Sequence, residues 1–291
     1  MSELAQVVVP ESARIGLLSS LGWRRTCRML TCLLLFAAIL VGSACLGDTG
    51  LGTNLQARNL HPSLGRLLGT DWLGRDMFTR VLLGLRLSLW VGFIAALASA
   101  VIGVAMGLAA GLFGGLADKA VGGLIDLVMS LPHLVFQILI AFAFGGGAKG
   151  VITAVALTHW ASLARVIRAE AQHLKTSEYV LLSSKLGRPR WWIARHHLLP
   201  QLLPQFLVGL ILMFPHAISH EAALSFLGLG MMPHTPSMGI VLAESLRHLS
   251  TGFWWLAVFP GLALLVTVKA FDILGEDLRK LLTPRMRQDR P

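Results

Sequence analysis

Six stretches of this chain are nearly unbroken runs of apolar residues, and the polar residues gather in the segments between them. The runs cover about residues 28–47, 87–113, 120–143, 148–168, 202–224 and 253–275. A helix needs about 20 apolar residues to cross the hydrocarbon of a bilayer, so each run predicts one transmembrane helix. Two glycine-rich breaks, GLFGGLADKAVGG and FGGGAKG, separate the second, third and fourth runs. The pattern predicts an all-α polytopic membrane protein of six transmembrane helices, with no room between the runs for a large soluble domain.

Composition agrees: 55% of the 291 residues are hydrophobic and 14% are charged, against about 25% charged in a soluble domain. The net charge of +10 would suggest nucleic acid in a soluble protein, but nothing resembles a nucleic-acid-binding module, and lysine and arginine follow topology instead. With the N-terminus inside, seventeen of them fall in inner segments and seven in outer ones, while Lys269 lies within the last run. The positive-inside rule then predicts that both termini are cytoplasmic. The resulting division is a cytoplasmic segment 1–27, a first span 28–47, an external loop 48–86, a five-helix core 87–275 with a cytoplasmic loop 171–200, and a cytoplasmic tail 276–291. Cys27, Cys32 and Cys45 all lie in or beside the first run, an odd count that gives no disulfide framework. GSACLG resembles a lipoprotein cleavage site and the first run resembles a signal peptide. The run is full length and more spans follow, so it reads as an uncleaved first span.

The external loop contains GTDWLGRDMFTR, Gly69 to Arg80. Asp71/Arg75 and Asp76/Arg80 are i,i+4 pairs with the acid first, the favourable order on a helix. The expectation is an amphipathic element on the outer surface whose charges pair internally.

The cytoplasmic loop contains YVLLSSKLGRPRWWIARHHLLP, Tyr179 to Pro200. Leu181–Leu186 predicts a short helix, Gly187 a left-handed helix end, Pro189 a stop, and Trp191–Leu198 a second short helix closed by Pro200. One reading is a positively charged loop with Trp191 and Trp192 anchored at the lipid surface. The other is a docking element for a cytoplasmic partner, because exposed aromatic, aliphatic and basic residues are combined in it.

This loop resembles the cytoplasmic coupling loop of binding-protein-dependent ABC importer permeases, whose pattern is E-A-A, three residues, G, then an apolar stretch ending in L-P. Gly187 and Leu199-Pro200 match, whereas the triplet reads Leu181, Leu182, Ser183. GTDWLGRDMFTR resembles the external G-T-D-x-x-G-R-D motif of the dipeptide/oligopeptide/nickel permeases. LSFLGLG, PHTPSMG and FPGLALLVTVKAFDILGEDLRKLLTPR resemble the C-terminal third of that family. The chain is most similar to the "C" type, and to its nickel-type members. The resemblance implies a type I ABC importer permease fold in the bacterial inner membrane and a heterodimer with a second homologous permease. It also implies two cytoplasmic ATPase subunits that bind ATP-Mg, and an external solute-binding protein. Leu181, Leu182, Ser183, Gly187, Leu199 and Pro200 would couple this chain to an ATPase. The chain itself has no G-x-x-x-x-G-K-[ST] motif, so it is expected to bind no nucleotide or other cofactor and to be no enzyme.

For cargo, the informative stretch is HAISHEAALSFLGLGMM. His216 and His220 are i,i+4 and share a helix face, with Glu221 adjacent. They lie about 14 to 18 residues up the fifth run, roughly 20–27 Å from its inner end. Ionisable groups at such depth face a bundle interior or cavity, and imidazole suits nickel, copper and zinc. A structural role for buried histidines is the plain alternative, and in peptide-type members an acid often stands where Glu221 stands. Nickel-type permeases are similar in carrying two histidines at these offsets, and His159 before Trp160 is similar to their version of ALTHWASLARVIR. The expectation is a path for nickel or a small metal–ligand complex, lined by His216, His220, Glu221 and His159, with His216 and His220 as transient metal ligands. Di- or oligopeptide cargo is the alternative, and an ion-coupled secondary transporter or a channel the alternatives of another class. The first of these needs coupling groups and often repeats, and the second a filter or charged ring; no convincing repeat or filter is visible. Met231, Met232 and His234 follow at the outer end of the run and can line the path. His133, after Pro132 in the third run, and His248 are given no role. His196 and His197 are adjacent and point about 100° apart on a helix, so they share no simple metal site. Lys269 and Asp272, three apart in the last run, read as a structural ion pair.

Overall fold

The computed structural model describes residues 23–232 and 235–282. The expectations placed on residues 1–22, on His234 and on the tail from 283 lie outside them. The chain folds into helices: α1 Trp23–Leu46, α2 Met77–Phe113, α3 Gly115–Ser130, α4 His133–Ala143 and α5 Gly147–Lys175. There follow α6 Glu178–Lys185, α7 Arg190–Ile193, α8 Leu199–Phe226, α9 Met238–Leu246 and α10 Trp255–Leu282. Among the described residues, five rods are long and apolar enough to cross a membrane, namely α1, α2, α5, α10 and the continuous helix Arg190–Phe226 that joins α7 to α8. The pair α3–α4 makes the sixth span if it is counted as one.

That pair corrects the uniform third span expected over 120–143: α3 and α4 are bent by 100°. Pro132 offers no backbone N–H and pushes the residue before it out of the helical region; Leu131 accordingly has φ −79° and ψ 143°. The second span also starts earlier than expected, at Met77 rather than near residue 87.

The centre of the bundle is the contact of α2 with α5. Gly103, Gly107 and Gly111 recur every fourth residue along one face of α2. A Cβ on Gly107 would lie 2.6 Å from the Ala164 carbonyl oxygen and 2.8 Å from the Ile167 Cβ. Water does not drive apolar helices together inside lipid, so such close backbone approach supplies the attraction. Gly107→Leu is therefore expected to separate α2 from α5, at a cost of about 1–3 kcal/mol or more, and to lower the amount of permease in the membrane on a quantitative blot. Gly123→Leu is the matched control: Gly123 is exposed on α3 and a Cβ there meets nothing within 4 Å. Equal levels of the two variants would count against this packing account.

Ion pairs fasten the periphery. Arg28 reaches the buried Asp277 at 2.9 Å and ties α1 to α10, beside the Phe36–Phe271 ring stack. Arg168 on α5 donates to both oxygens of Asp118 on α3 at 2.5 and 2.8 Å. Lys269 and Asp272 form the expected pair at 3.2 Å.

The external motif departs from expectation. Residues 69–76 form turns, not an amphipathic helix, and close on the start of α2. The Asp71 carboxylate, 2% exposed, accepts from the backbone of Leu73 and Arg75 at 2.9 and 2.8 Å. It also accepts from the side chains of Arg75 and Arg80 at 2.6 and 2.7 Å. Both arginines continue to Glu244 on α9, at 3.0 and 2.7 Å. Arg80 thus pairs with Asp71 and Glu244, while Asp76 caps α2 by accepting from the Thr79 N–H at 2.9 Å.

Between α2 and the rod Arg190–Phe226 lies an apolar cavity of about 690 Å³. Val101, Leu108, Trp191, Arg195, Leu202 and Phe206 are among its lining residues.

Candidate functional site: the interhelical loop and a histidine cluster

The loop between α5 and α8 is a helical hairpin. α6 ends in a Schellman arrangement: Arg188 N–H donates to Ser183 O at 3.1 Å and Gly187 N–H to Ser184 O at 3.0 Å. Gly187 takes φ +79°, the left-handed geometry this motif demands. Pro189 starts α7. The second short helix is not closed by Pro200, as expected from the sequence; it runs on into α8. The intervening turn Ala194–Leu198 widens to π geometry, with Leu199 N–H donating to Ala194 O. A wider turn accommodates a proline that can donate no helical bond of its own. Ser183 and His197 Nε2 are 2.8 Å apart and join the two arms. His196 stacks on Trp192 at 4.5 Å, and the Arg188 guanidinium lies over that ring, 4.7 Å from its centroid. The paired histidines both touch Trp192, His196 stacked on its face and His197 edge-on at 5.2 Å, and His197 alone of the two also reaches Ser183. Leu181, Leu182, Leu186, Trp191 and Leu199 remain exposed, an apolar surface set among basic residues.

A second constellation lies in the bundle. His133 opens α4 immediately after the Pro132 break, His159 sits midway along α5, and His220 lies on α8. Ring centroids are 4.5 Å apart for His133–His159, 5.2 Å for His133–His220 and 4.9 Å for His159–His220. One ring nitrogen from each lies within 4.8 Å of the other two. His133 Nε2 is 3.3 Å from His159 Nδ1. Gln137, one turn beyond His133 and fully buried, places its amide nitrogen 3.1 Å from Thr158 Oγ1 and 3.5 Å from His159 Nδ1.

Of the residues singled out from the sequence, His159 and His220 meet here. His216 does not join this ligand group; it lies one turn before His220 on the same face and is exposed. Glu221 turns away. It is 1% exposed and accepts from Ser225 Oγ at 2.8 Å, while Ser225 Oγ accepts from Met231 N–H at 3.1 Å. Its visible work is to hold the turn that follows α8. His133 was missed. The one local signal was a histidine beside a proline within an apolar run, and nothing near it in sequence shows what it meets.

Residues 101–288 match the family of binding-protein-dependent transport system inner membrane components. The chain belongs to that family and is a multi-pass protein of the bacterial inner membrane; family membership implies ATPase and binding-protein partners. It is 36% identical over 256 residues, 88% of this chain and 80% of the relative, to the dipeptide transport system permease protein DppC of Bacillus subtilis (strain 168). The oligopeptide transport system permease protein OppC of the same organism is 35% identical over 236 residues, 81% of this chain and 77% of the relative. Among solved structures, the MetNI methionine ABC transporter in an inward-facing conformation aligns with a TM-score of 0.56 at 18% identity. That match covers 71% of this chain and 98% of the other, and shows a shared fold.

Proposed function

We propose that this chain forms half of the translocation path of an ATP-driven importer whose cargo is a di- or oligopeptide-class solute. The observation that carries this reading is the similarity, across most of the chain, to permeases named for dipeptides and oligopeptides. It sets the peptide class ahead of nickel, which the sequence alone had favoured. A second homologous permease would complete the path, two ATPases carrying ATP-Mg would drive it, and a binding protein would deliver the cargo. The hairpin with Leu181, Leu182, Ser183, Gly187, Leu199 and Pro200 would dock on one ATPase. Because α7 continues into α8, a displacement of the hairpin is transmitted along a single rod into the bundle.

Nickel or a small metal–ligand complex is the second reading, favoured by the meeting of His133, His159 and His220. Uptake in cells lacking their own importers, with the whole importer supplied, separates the two. Labelled dipeptide is expected to accumulate only when the permease is present. Accumulation of labelled nickel without dipeptide uptake would give the second reading precedence, and accumulation of neither would overturn both.

A further inference from the structure

The histidine cluster has a chemistry that peptide transport does not require. Metal–imidazole bonds of about 2.0–2.1 Å put the nitrogens of a tetrahedral site roughly 3.4 Å apart. The 3.4 Å from His133 Nε2 to His159 Nε2 already has that length, and one nitrogen of each of the three rings lies within 4.8 Å of the others. Side-chain rotation of modest size closes the remaining edges. The three ligands come from three separate helices, α4, α5 and α8, so a bound ion would bridge the bent span, the central helix and the rod that continues from the hairpin. The Val155 carbonyl, 3.3 Å from His159 Nδ1, can accept the proton on that nitrogen and leave Nε2 to face the metal.

We propose that His133, His159 and His220 form an exchangeable site for a divalent transition metal of the nickel–zinc type, whose fourth position is filled by an anionic ligand that arrives with the metal. Imidazole suits these ions, and three protein ligands leave a position open. Among the described residues, no carboxylate or thiolate belongs to the ligand group. Three neutral imidazoles leave the full charge of a divalent ion in a low-dielectric interior, where an uncompensated charge is expensive. A carboxylate-bearing chelator, such as an amino acid or short peptide, lowers that charge and completes the coordination. The absence of thiolate from the group also keeps the site reversible, as a path must be. Nothing covalent is made or broken apart from ligand exchange at the metal.

This inference rests on the second, metal-carrying reading of the cargo, yet it is tested apart from transport. The purified importer, with both permeases and its ATPases, is dialysed against radioactive Ni²⁺, alone and with one equivalent of glycylglycine. One saturable site is expected, tightened about tenfold or more by the dipeptide. His133→Gln, His159→Gln and His220→Gln should each weaken binding by about tenfold to a hundredfold, since even outer-shell changes reach that size. His173→Ala, exposed at the far end of α5, should bind as the parent does. Saturable binding that survives all three glutamine variants, or no saturable binding at millimolar nickel, overturns the site. Equal affinity with and without glycylglycine overturns the anionic fourth ligand. Nickel bound at the triad but never taken up by cells would leave the site standing and overturn only the cargo reading.

Discussion

Asp71→Ala is expected to remove most of the permease from the membrane. The side chain is buried and gathers two backbone N–H groups and two arginines, which it links to Glu244 on α9. Deleting it strands Arg80, itself 3% exposed, without its partner in the loop. Breaking a buried ion pair from one side costs about 3–5 kcal/mol, a large part of the stability of an ordinary domain. Membrane level and thermal unfolding of detergent-solubilised protein both report the effect. The double variant Asp71→Ala/Arg80→Ala should lose less than the sum of the single losses, because partners in one network are not additive. Parent-like levels of Asp71→Ala would show that this network holds nothing together.

Gly187→Arg is expected to do the opposite: a normal amount of protein and no transport. A Cβ at Gly187 meets nothing within 4 Å, so the fold can absorb a side chain there. The backbone φ of +79° cannot be kept by arginine without a cost of roughly 1–2 kcal/mol, and the long cation would stand where the proposed ATPase groove receives the bend. Gly187→Asn tolerates the left-handed conformation better and should retain most transport. Uptake at matched expression decides the point; normal uptake by the arginine variant would reduce the hairpin to a charged connecting loop.

The spans were legible because a bilayer imposes one strong requirement, length and apolarity, that needs no tertiary information. The left-handed end at Gly187 was legible for a similar reason, since glycine followed two residues later by proline is a local signal. The start of α2 was not. Arg80 and Arg86 within the first turns look like loop residues until Asp71 and Glu244, contributed from other parts of the chain, are seen to neutralise Arg80. The break at Pro132 was equally hidden, because proline inside a transmembrane helix is tolerated often enough that an apolar run around it reads as continuous. The histidines divide along the same line. The i,i+4 relation of His216 to His220 is written in the sequence, but which of the two meets other imidazoles depends on how α8 is rotated against α5. The place of His133 depends on the bend itself.

The cavity beside the rod Arg190–Phe226 has a consequence for motion. Densely interlocked side chains resist displacement, because any shift must first undo contacts made at every atom along the seam. On its cavity side the rod faces about 690 Å³ of open space, edged by Trp191, Leu202 and Phe206. Elsewhere small residues let neighbouring helices close tightly on it, Gly92 against Ile218 and Gly209 against Leu163, so a shift toward the cavity breaks fewer close contacts of this chain than a shift against that seam. The rod therefore has a soft side and a stiff side, and the direction in which it yields is built into the shape of the bundle.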